Sequence, residues 1–500
     1  MSASAFLNLR PSASCRWLPH HLLRTRCLQL QQQPHLQSRY KSSTSNSASR
    51  PSPSPYEAKS ALFVSNEIAQ ATLSSNLQLD LGLENRINEL ETLERNVKRR
   101  KLTIDLVSFE KSYRNYCELN SKLNKLNENR KTVAKKMGEL KKDKMNVEVK
   151  KKLIAKGKSL KEQHKLLSKE YWEIEEKVML TALNLPNVLS KNSPDTDEVI
   201  RNFGDDFISH QTSVCLNHAE LCEERNLLKF CKFSPGGYYM RGELAVMELS
   251  ILELMRNEMD NHSFTSMICP NMFRTLVIEA SGHKLSDPKD VFILESKNAD
   301  LSSKYENLFH LCGASLSSFS AYLTKMSLRK EQLPMRAYTQ GRSYSPVSDE
   351  DLNKESLINV QQESTIHVCV ACETGEETDS EFEQLVEKMW NIYTKFQLPI
   401  RLVNVSAQNL RSCEYERRNI DVWIPSINSY ITIAYLANYR DFISRRLTIT
   451  SSPNKLHLNI IHGKLVSVPK LLAAIIENYE QIDPKKLQIP EVLNRSSLNS

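Results

Sequence analysis

Glycine is what this 500-residue chain lacks most: it has twelve, where average usage would supply about 35. Loops that cradle phosphates lean on glycine, which brings backbone amides close to an anion without steric penalty. The composition therefore argues against a chain rich in phosphate-binding loops. Acids are missing before Glu57, and the leader instead carries Arg10, Arg16, Arg24, Arg26 and Arg39 among many Ser and Gln residues. An Arg-rich, Ser-rich, acid-poor leader predicts a mitochondrial transit peptide over residues 1–45 and a matrix location, the alternative being a disordered basic tail. No apolar run reaches the roughly 20 residues of a membrane span, so integral membrane contact is not expected. The eleven cysteines form no even framework and sit mostly inside apolar runs, which predicts reduced, buried thiols. Cys369 and Cys372 form a CxxC, but VCVAC alternates as a strand and no second pair follows, so neither a metal nor a redox role is assigned.

What is present begins with a Ser/Pro linker, Ser42 to Pro55, inside a linker and helical or strand segment over residues 46–100. From Phe109 to Leu140 the series Phe109, Ser112, Tyr116, Leu119, Leu123, Leu126, Arg130, Val133, Met137, Leu140 steps by three and four, as a coiled-coil seam does. A second seam, Leu153, Leu160, His164, Leu167, Tyr171, Ile174, Val178, follows a polar break at Lys141 to Glu148. A short polar connector between two helices of similar length predicts an antiparallel hairpin over residues 101–184. Between Arg95 and Lys169 there are 24 Lys and Arg against 8 acids, far from the balanced pairing of a purely structural coil. Such a surplus suits a solvated face or an anionic partner. The second reading makes Arg99, Arg100, Lys122, Lys125, Arg130, Lys131, Lys135, Lys136, Lys150, Lys151 and Lys152 a phosphate-tracking surface with salt-sensitive affinity. Leu185 to Ser193, rich in turn formers, marks the boundary to a domain over residues 185–500.

In that domain Tyr238 to Leu254 has helical apolar spacing, Lys455 to Ile461 alternates as a strand, and Leu471 to Tyr479 reads as a core helix. Asp441-Phe442, Arg445-Arg446, Gly463 and Glu477-Asn478-Tyr479 resemble, in order and spacing, motif 3 of class II aminoacyl-tRNA synthetases, the seryl-tRNA synthetases in particular. Tyr239, Gly242, Ala245 and Glu248 are similar to that family's YLxGxGAxLExAL segment. Pro270 falls at its motif 1 proline, and MRAYTQGRSY (Arg336, Gly341, Arg342) with INVQQEST (Val360, Gln362) resembles its motif 2. The resemblance implies an α+β fold, an antiparallel sheet with flanking helices behind a two-helix coiled-coil arm. It also implies a dimer, and an arm that reaches the long variable arm of tRNA(Ser).

Departures from the pattern fall where the family's chemistry resides. Pro469 and Lys470 replace the Gly-Arg that meets ATP, and lysine lacks the planar fork of arginine. Ala314 and Leu316 replace the Thr and Glu that recognise serine, leaving the substrate's ammonium without a partner. Tyr338 stands for a motif 2 Glu, Asn359 for its return-strand Arg, and Glu363 for the Phe that stacks on adenine. Thr432 replaces a carboxylate that helps hold magnesium, and Ala434 replaces a Ser. Arg336, Asn438, Asp441, Arg445 and Arg446 keep the family's residue types. Clamps, metal ligands and amino-acid recognition are all damaged, and single losses at such sites cost about a hundredfold or more. The expectation is a non-catalytic paralogue without cofactor or metal. It would bind tRNA(Ser) or other mitochondrial RNA through the arm and pair with a genuine mitochondrial seryl-tRNA synthetase or with itself. The rivals are a divergent ligase or adenylating enzyme, with Arg336, Arg342 and Lys470 clamping phosphate, and a protein-interaction scaffold that ignores RNA.

Overall fold

A computed structural model describes residues 60–63, 77, 79–140, 147–208, 216–231, 233–234, 236–284, 287, 290–294, 308–352, 354–479 and 489–494. The expected transit peptide, the Ser/Pro linker and most of the hairpin's connector lie outside them.

The arm is two long helices, α1 (Leu106–Leu140) and α2 (Val147–Leu183). Asp105 starts α1 by accepting the Ser108 N–H at 3.0 Å, satisfying one of the donors that a helix N-terminus leaves open. The predicted seams face each other. Phe109, Leu119, Leu123 and Val133 on one helix and Leu160 and Val178 on the other are buried, and Tyr116 stacks on Tyr171 with ring centroids 5.3 Å apart. Arg130, placed on the seam by spacing, is exposed instead, since its charge would be desolvated between two helices.

The body is built on one eight-stranded sheet. Its strands are β1 (Glu198–Phe203), β2 (Thr265–Met267), β3 (Met335–Tyr344), β4 (Gln362–Cys372), β5 (Ile400–Asn404), β6 (Glu416–Ile424), β7 (Ser429–Arg440) and β8 (Asn459–Ser467). They lie in the order β1-β5-β6-β7-β8-β4-β3-β2, and every pairing is antiparallel except that of the edge strand β2 with β3. Helices α3 (Glu243–Asn261), α6 (Gly375–Thr394) and α8 (Val468–Tyr479) pack against one face, and α4 (Thr275–Ala280), α5 (Leu316–Leu323) and α7 (Phe442–Leu447) against the other. Buried on both faces, β4 reads as a continuous apolar run. Its even residues Ile366, Val368, Val370 and Cys372 join the first core, and its odd residues Cys369 and Ala371 join the second. The two cysteines of the CxxC therefore point to opposite faces, as a separation of three in a strand requires, and cannot share a metal. Cys222, Cys312, Cys369, Cys372 and Cys413 are buried thiols outside any disulfide; among the described residues no helix is long and apolar enough to cross a membrane.

Two boundaries differ from the spacing argument. The strand near Lys455 starts only at Asn459 and runs to Ser467, because Lys455 has φ +54° and belongs to the preceding turn. The helix read from Tyr238 begins at Glu243, since Gly237–Met240 is a short strand and Gly242, at φ +60°, turns the chain into the helix.

Candidate functional site

The substituted positions lie where β3, β4, β7 and β8 run side by side, on both faces of the sheet, Tyr338 and Ala434 in the first core and Leu316 in the second. Gly463 allows this closeness: a Cβ there would sit 2.4 Å from the Tyr435 carbonyl oxygen on β7. Glu363, near the start of β4, accepts hydrogen bonds from Lys464 Nζ and Ser467 Oγ, both on β8. Burial pushes the Glu363 carboxyl up, but Lys464 and then Lys470 outweigh it and hold the group below the ordinary range. Burial likewise works against the Lys464 ammonium, and Glu363 reverses the effect and raises it. Lys470, in the first turn of α8 behind Pro469, is held down mainly by burial, and its Nζ lies 3.4 Å from the Thr432 carbonyl oxygen. One carboxylate thus meets two ammonium groups here, bonded directly by Lys464 and influenced by the nearby charge of Lys470.

The remaining positions are equally committed. Arg336 makes a two-pronged pair with Glu381 of α6, at 2.8 and 2.5 Å. Such forks are the strongest guanidinium contacts, and this one leaves little of Arg336 to clamp a phosphate. Arg342 remains half-exposed, 3.3 Å from the Tyr238 hydroxyl and 3.8 Å from Glu248. Tyr338 is buried and donates to Asp260 at 2.8 Å, pinning the end of α3. Thr432 donates to Asp421 at 2.7 Å, and Asp421 in turn pairs with Arg401 at 3.1 Å. Asn359, half-buried, bonds Asp351. Ala434 is fully buried among apolar side chains, and Leu316 points into the second core with Phe319.

Around Ala314 the structure has put histidines. The Ser343 hydroxyl donates to the Ala314 carbonyl at 2.5 Å and lies 3.1 Å from His367 Nε2. His367 Nδ1 is 3.1 Å from His462 Nε2, and the two rings stack with centroids 5.2 Å apart. With Ser343's proton spent on Ala314, His367 Nε2–H donates to Ser343 and His462 Nε2–H donates to His367. That leaves His462 Nδ1 a buried acceptor with no partner. Burial pushes both imidazoles down, His462 to about 3, so both are neutral at physiological pH. Sequence reasoning missed Lys464, His367 and His462; the alternation of β4 and β8 was the signal that places all three on the face they occupy.

The retained family positions are structural ties. Asn438 is fully buried and donates to Glu416 at 3.3 Å. Arg445 bridges Asp441 at 2.7 Å and Asp80 at 3.0 Å. Arg446 is buried, with its guanidinium carbon 3.4 Å from the Phe442 ring centroid and Nη2 3.4 Å from the Leu183 carbonyl at the end of α2. These contacts join the arm's root to the body.

On the arm, Lys122, Lys125, Arg130, Lys131, Lys135, Lys136, Lys150, Lys151 and Lys152 are all exposed. Arg99 and Arg100 do not belong with them. Arg100 is only 4% exposed and donates to Asn96 at 2.8 Å and to the carbonyls of Arg411 and Glu414 at 3.0 and 2.6 Å. Arg99 is held by Asp195 at 2.7 Å and the Ser193 carbonyl at 2.6 Å. Their charge density suggested a phosphate surface, but their work is to lock the root. Among the described residues no group of three or more His, Cys, Asp or Glu is placed to hold a metal.

A long helix and strand leading to Pro270, the β3–β4 hairpin, and the β8–α8 unit, all on one antiparallel sheet, define the class II aminoacyl-tRNA synthetase fold. Residues 83–189 match the seryl-tRNA synthetase N-terminal domain and residues 304–479 the class II tRNA synthetase core domain of the G, H, P, S and T enzymes. The chain belongs to the seryl-tRNA synthetase family. It is similar to the serine–tRNA synthetase-like protein Slimp of Drosophila melanogaster, 26% identical over 436 residues, 86% of this chain and 90% of that one. It is also 26% identical over 352 residues to the mitochondrial serine–tRNA ligase of Bos taurus, covering 68% of this chain and 66% of that one. Two solved structures share the fold at a TM-score of 0.71, each covering 84% of this chain and 98% of the other. They are the cytoplasmic serine–tRNA ligase of Naegleria fowleri with AMP, 16% identical, and the seryl-tRNA synthetase of Pyrococcus horikoshii with ATP, 18% identical.

Proposed function

We propose that this protein is a non-catalytic member of its family, located in the mitochondrial matrix, that binds tRNA(Ser) or other mitochondrial RNA through its arm. It dimerises with a genuine mitochondrial seryl-tRNA synthetase or with itself, supports mitochondrial translation in that assembly, and forms no aminoacyl adenylate. One observation carries the reading: the ion pair of Glu363 with Lys464, backed by Lys470, in the place where the family's adenine and phosphates would lie. Phosphoryl-type chemistry is mostly positioning and electrostatics. Here Lys464 is spent on an internal carboxylate and Arg336 on Glu381, while Arg342 stays half-exposed.

Support for the remaining parts is separate. The exposed arm cations, with 24 basic residues against 8 acids between Arg95 and Lys169, suit a phosphate backbone. Ile268, Met272 and Phe309 around Pro270, and Val246 and Leu249 on α3, leave large apolar side chains exposed, as an uncovered subunit interface does. Mitochondrial ligases among the relatives agree with the Arg-rich leader. ATP–pyrophosphate exchange with a panel of amino acids including serine tests the catalytic part. The expected result is no exchange above a no-enzyme control; robust exchange abolished by Lys470→Ala would favour an active adenylating enzyme.

A further inference from the structure

Between α1 and α2, toward the connector end of the arm, the helices leave a groove of about 1120 Å³. Its floor is apolar, made by Val133, Met137, Leu153 and Leu160, with Ile154 at its side 41% exposed. Its rim carries Arg130, Lys131, Lys158 and Lys161 against one carboxylate, Glu128. None of these four cations has an acid within ion-pair distance among the described residues; the ion pair of Arg114 with Glu110 lies nearer the root. Two of the chain's twelve glycines, Gly138 and Gly157, line the same groove. A Cβ at either would meet nothing within 4 Å, so packing inside the hairpin does not call for them. Each weakens its helix by about 1 kcal/mol relative to alanine. Their effect is to lower the helix surface where a third element could approach.

An apolar floor gains nothing from a phosphodiester, and a cationic rim gains nothing from an uncharged helix. A helix with an apolar stripe flanked by Glu and Asp satisfies both, and small residues let helix axes approach to the usual 8–10 Å. We propose that this groove docks an acidic amphipathic helix of a partner protein, turning the hairpin into a three-helix bundle along its outer part. From Asn124 to Gly138 the lining of α1 spans about 21 Å, room for roughly four helical turns. The bound helix covers Arg130 and Lys131, so docking and RNA binding by the arm oppose each other.

The test uses the full chain and a fluorescent synthetic peptide of about four turns, with Leu at helical spacing and Glu on both flanks, beside a permuted peptide of identical composition. Anisotropy should show saturable binding at least about tenfold tighter than that of the permuted peptide, with a gain in helical circular dichroism. Gly157→Leu, which fills the groove, and Ile154→Glu, on its half-exposed side, should each weaken binding about tenfold or more. A peptide bound no more tightly than its permuted control overturns the proposal, as does unchanged binding to both variants. If the variants lose an RNA stem-loop and not the peptide, the groove is an RNA seat and the proposal is also wrong.

Discussion

At Glu363 a carboxylate stands where the resemblance puts the family's adenine-stacking ring, and Lys464 and Ser467 bond it. Replacing Lys464 by Met strands a buried carboxylate, which should lower unfolding stability by about 3–5 kcal/mol. The double replacement Glu363→Met with Lys464→Met should recover most of that loss, because a buried pair exchanged for apolar groups is close to neutral. Chemical denaturation of the three variants checks this, and an additive double mutant would mean the two groups do not act as a pair. The same carboxyl sets a pH dependence. Its folded value is depressed, since Lys464 and Lys470 outweigh burial. Its contribution is therefore present above the unfolded value near 4.3 and is lost as pH falls through the folded one. Between pH 6 and pH 3 the wild type should lose stability more steeply than the double mutant; parallel curves would contradict the assignment. The substitutions at Pro469, Lys470, Leu316 and Glu363 were legible in the sequence because each replaces one chemical type by another at a fixed spacing. Lys464 was not, because a lysine in an alternating strand reads as a solvent-facing residue until the opposing strand supplies its carboxylate.

The hairpin was the most legible element. Steps of three and four fixed both seams, and the surface charge followed from what the seams left out. Arg99 and Arg100 show where that reasoning stops, since local charge density cannot distinguish a cation aimed at solvent from one folded back onto carbonyls some 310 residues away in sequence, as Arg100 is. Reversing Lys150, Lys151 and Lys152 to Glu should leave thermal stability nearly unchanged, because all three are exposed. It should weaken tRNA binding and flatten its dependence on salt, the logarithmic slope falling by up to about one for each phosphate that is no longer neutralised. Filter binding from low to high salt measures this; an unaltered slope would remove the arm's tip from the RNA surface. Arg100→Ala should do the opposite, loosening the root and lowering stability without a comparable change in slope.

Across the whole molecule the family fold is kept, and the proposed loss of chemistry leaves it intact. The sheet order, its apolar layers and the ties of Arg445 and Arg446 depend on burial and backbone geometry, which the substitutions respect: proline opens α8 comfortably, and Leu316 is buried in the second core. Of the charged groups at the substituted positions, Glu363 faces Lys464 and Arg336 faces Glu381. Fold class followed from motif order along the chain, whereas the Glu363–Lys464 pair is a property of β4 against β8, formed by residues about a hundred positions apart. The most direct measurement is calorimetric titration of the purified protein with magnesium ATP, in the presence and absence of serine. No saturable heat at millimolar nucleotide is the predicted result; stoichiometric binding, tightened by serine, would contradict the account.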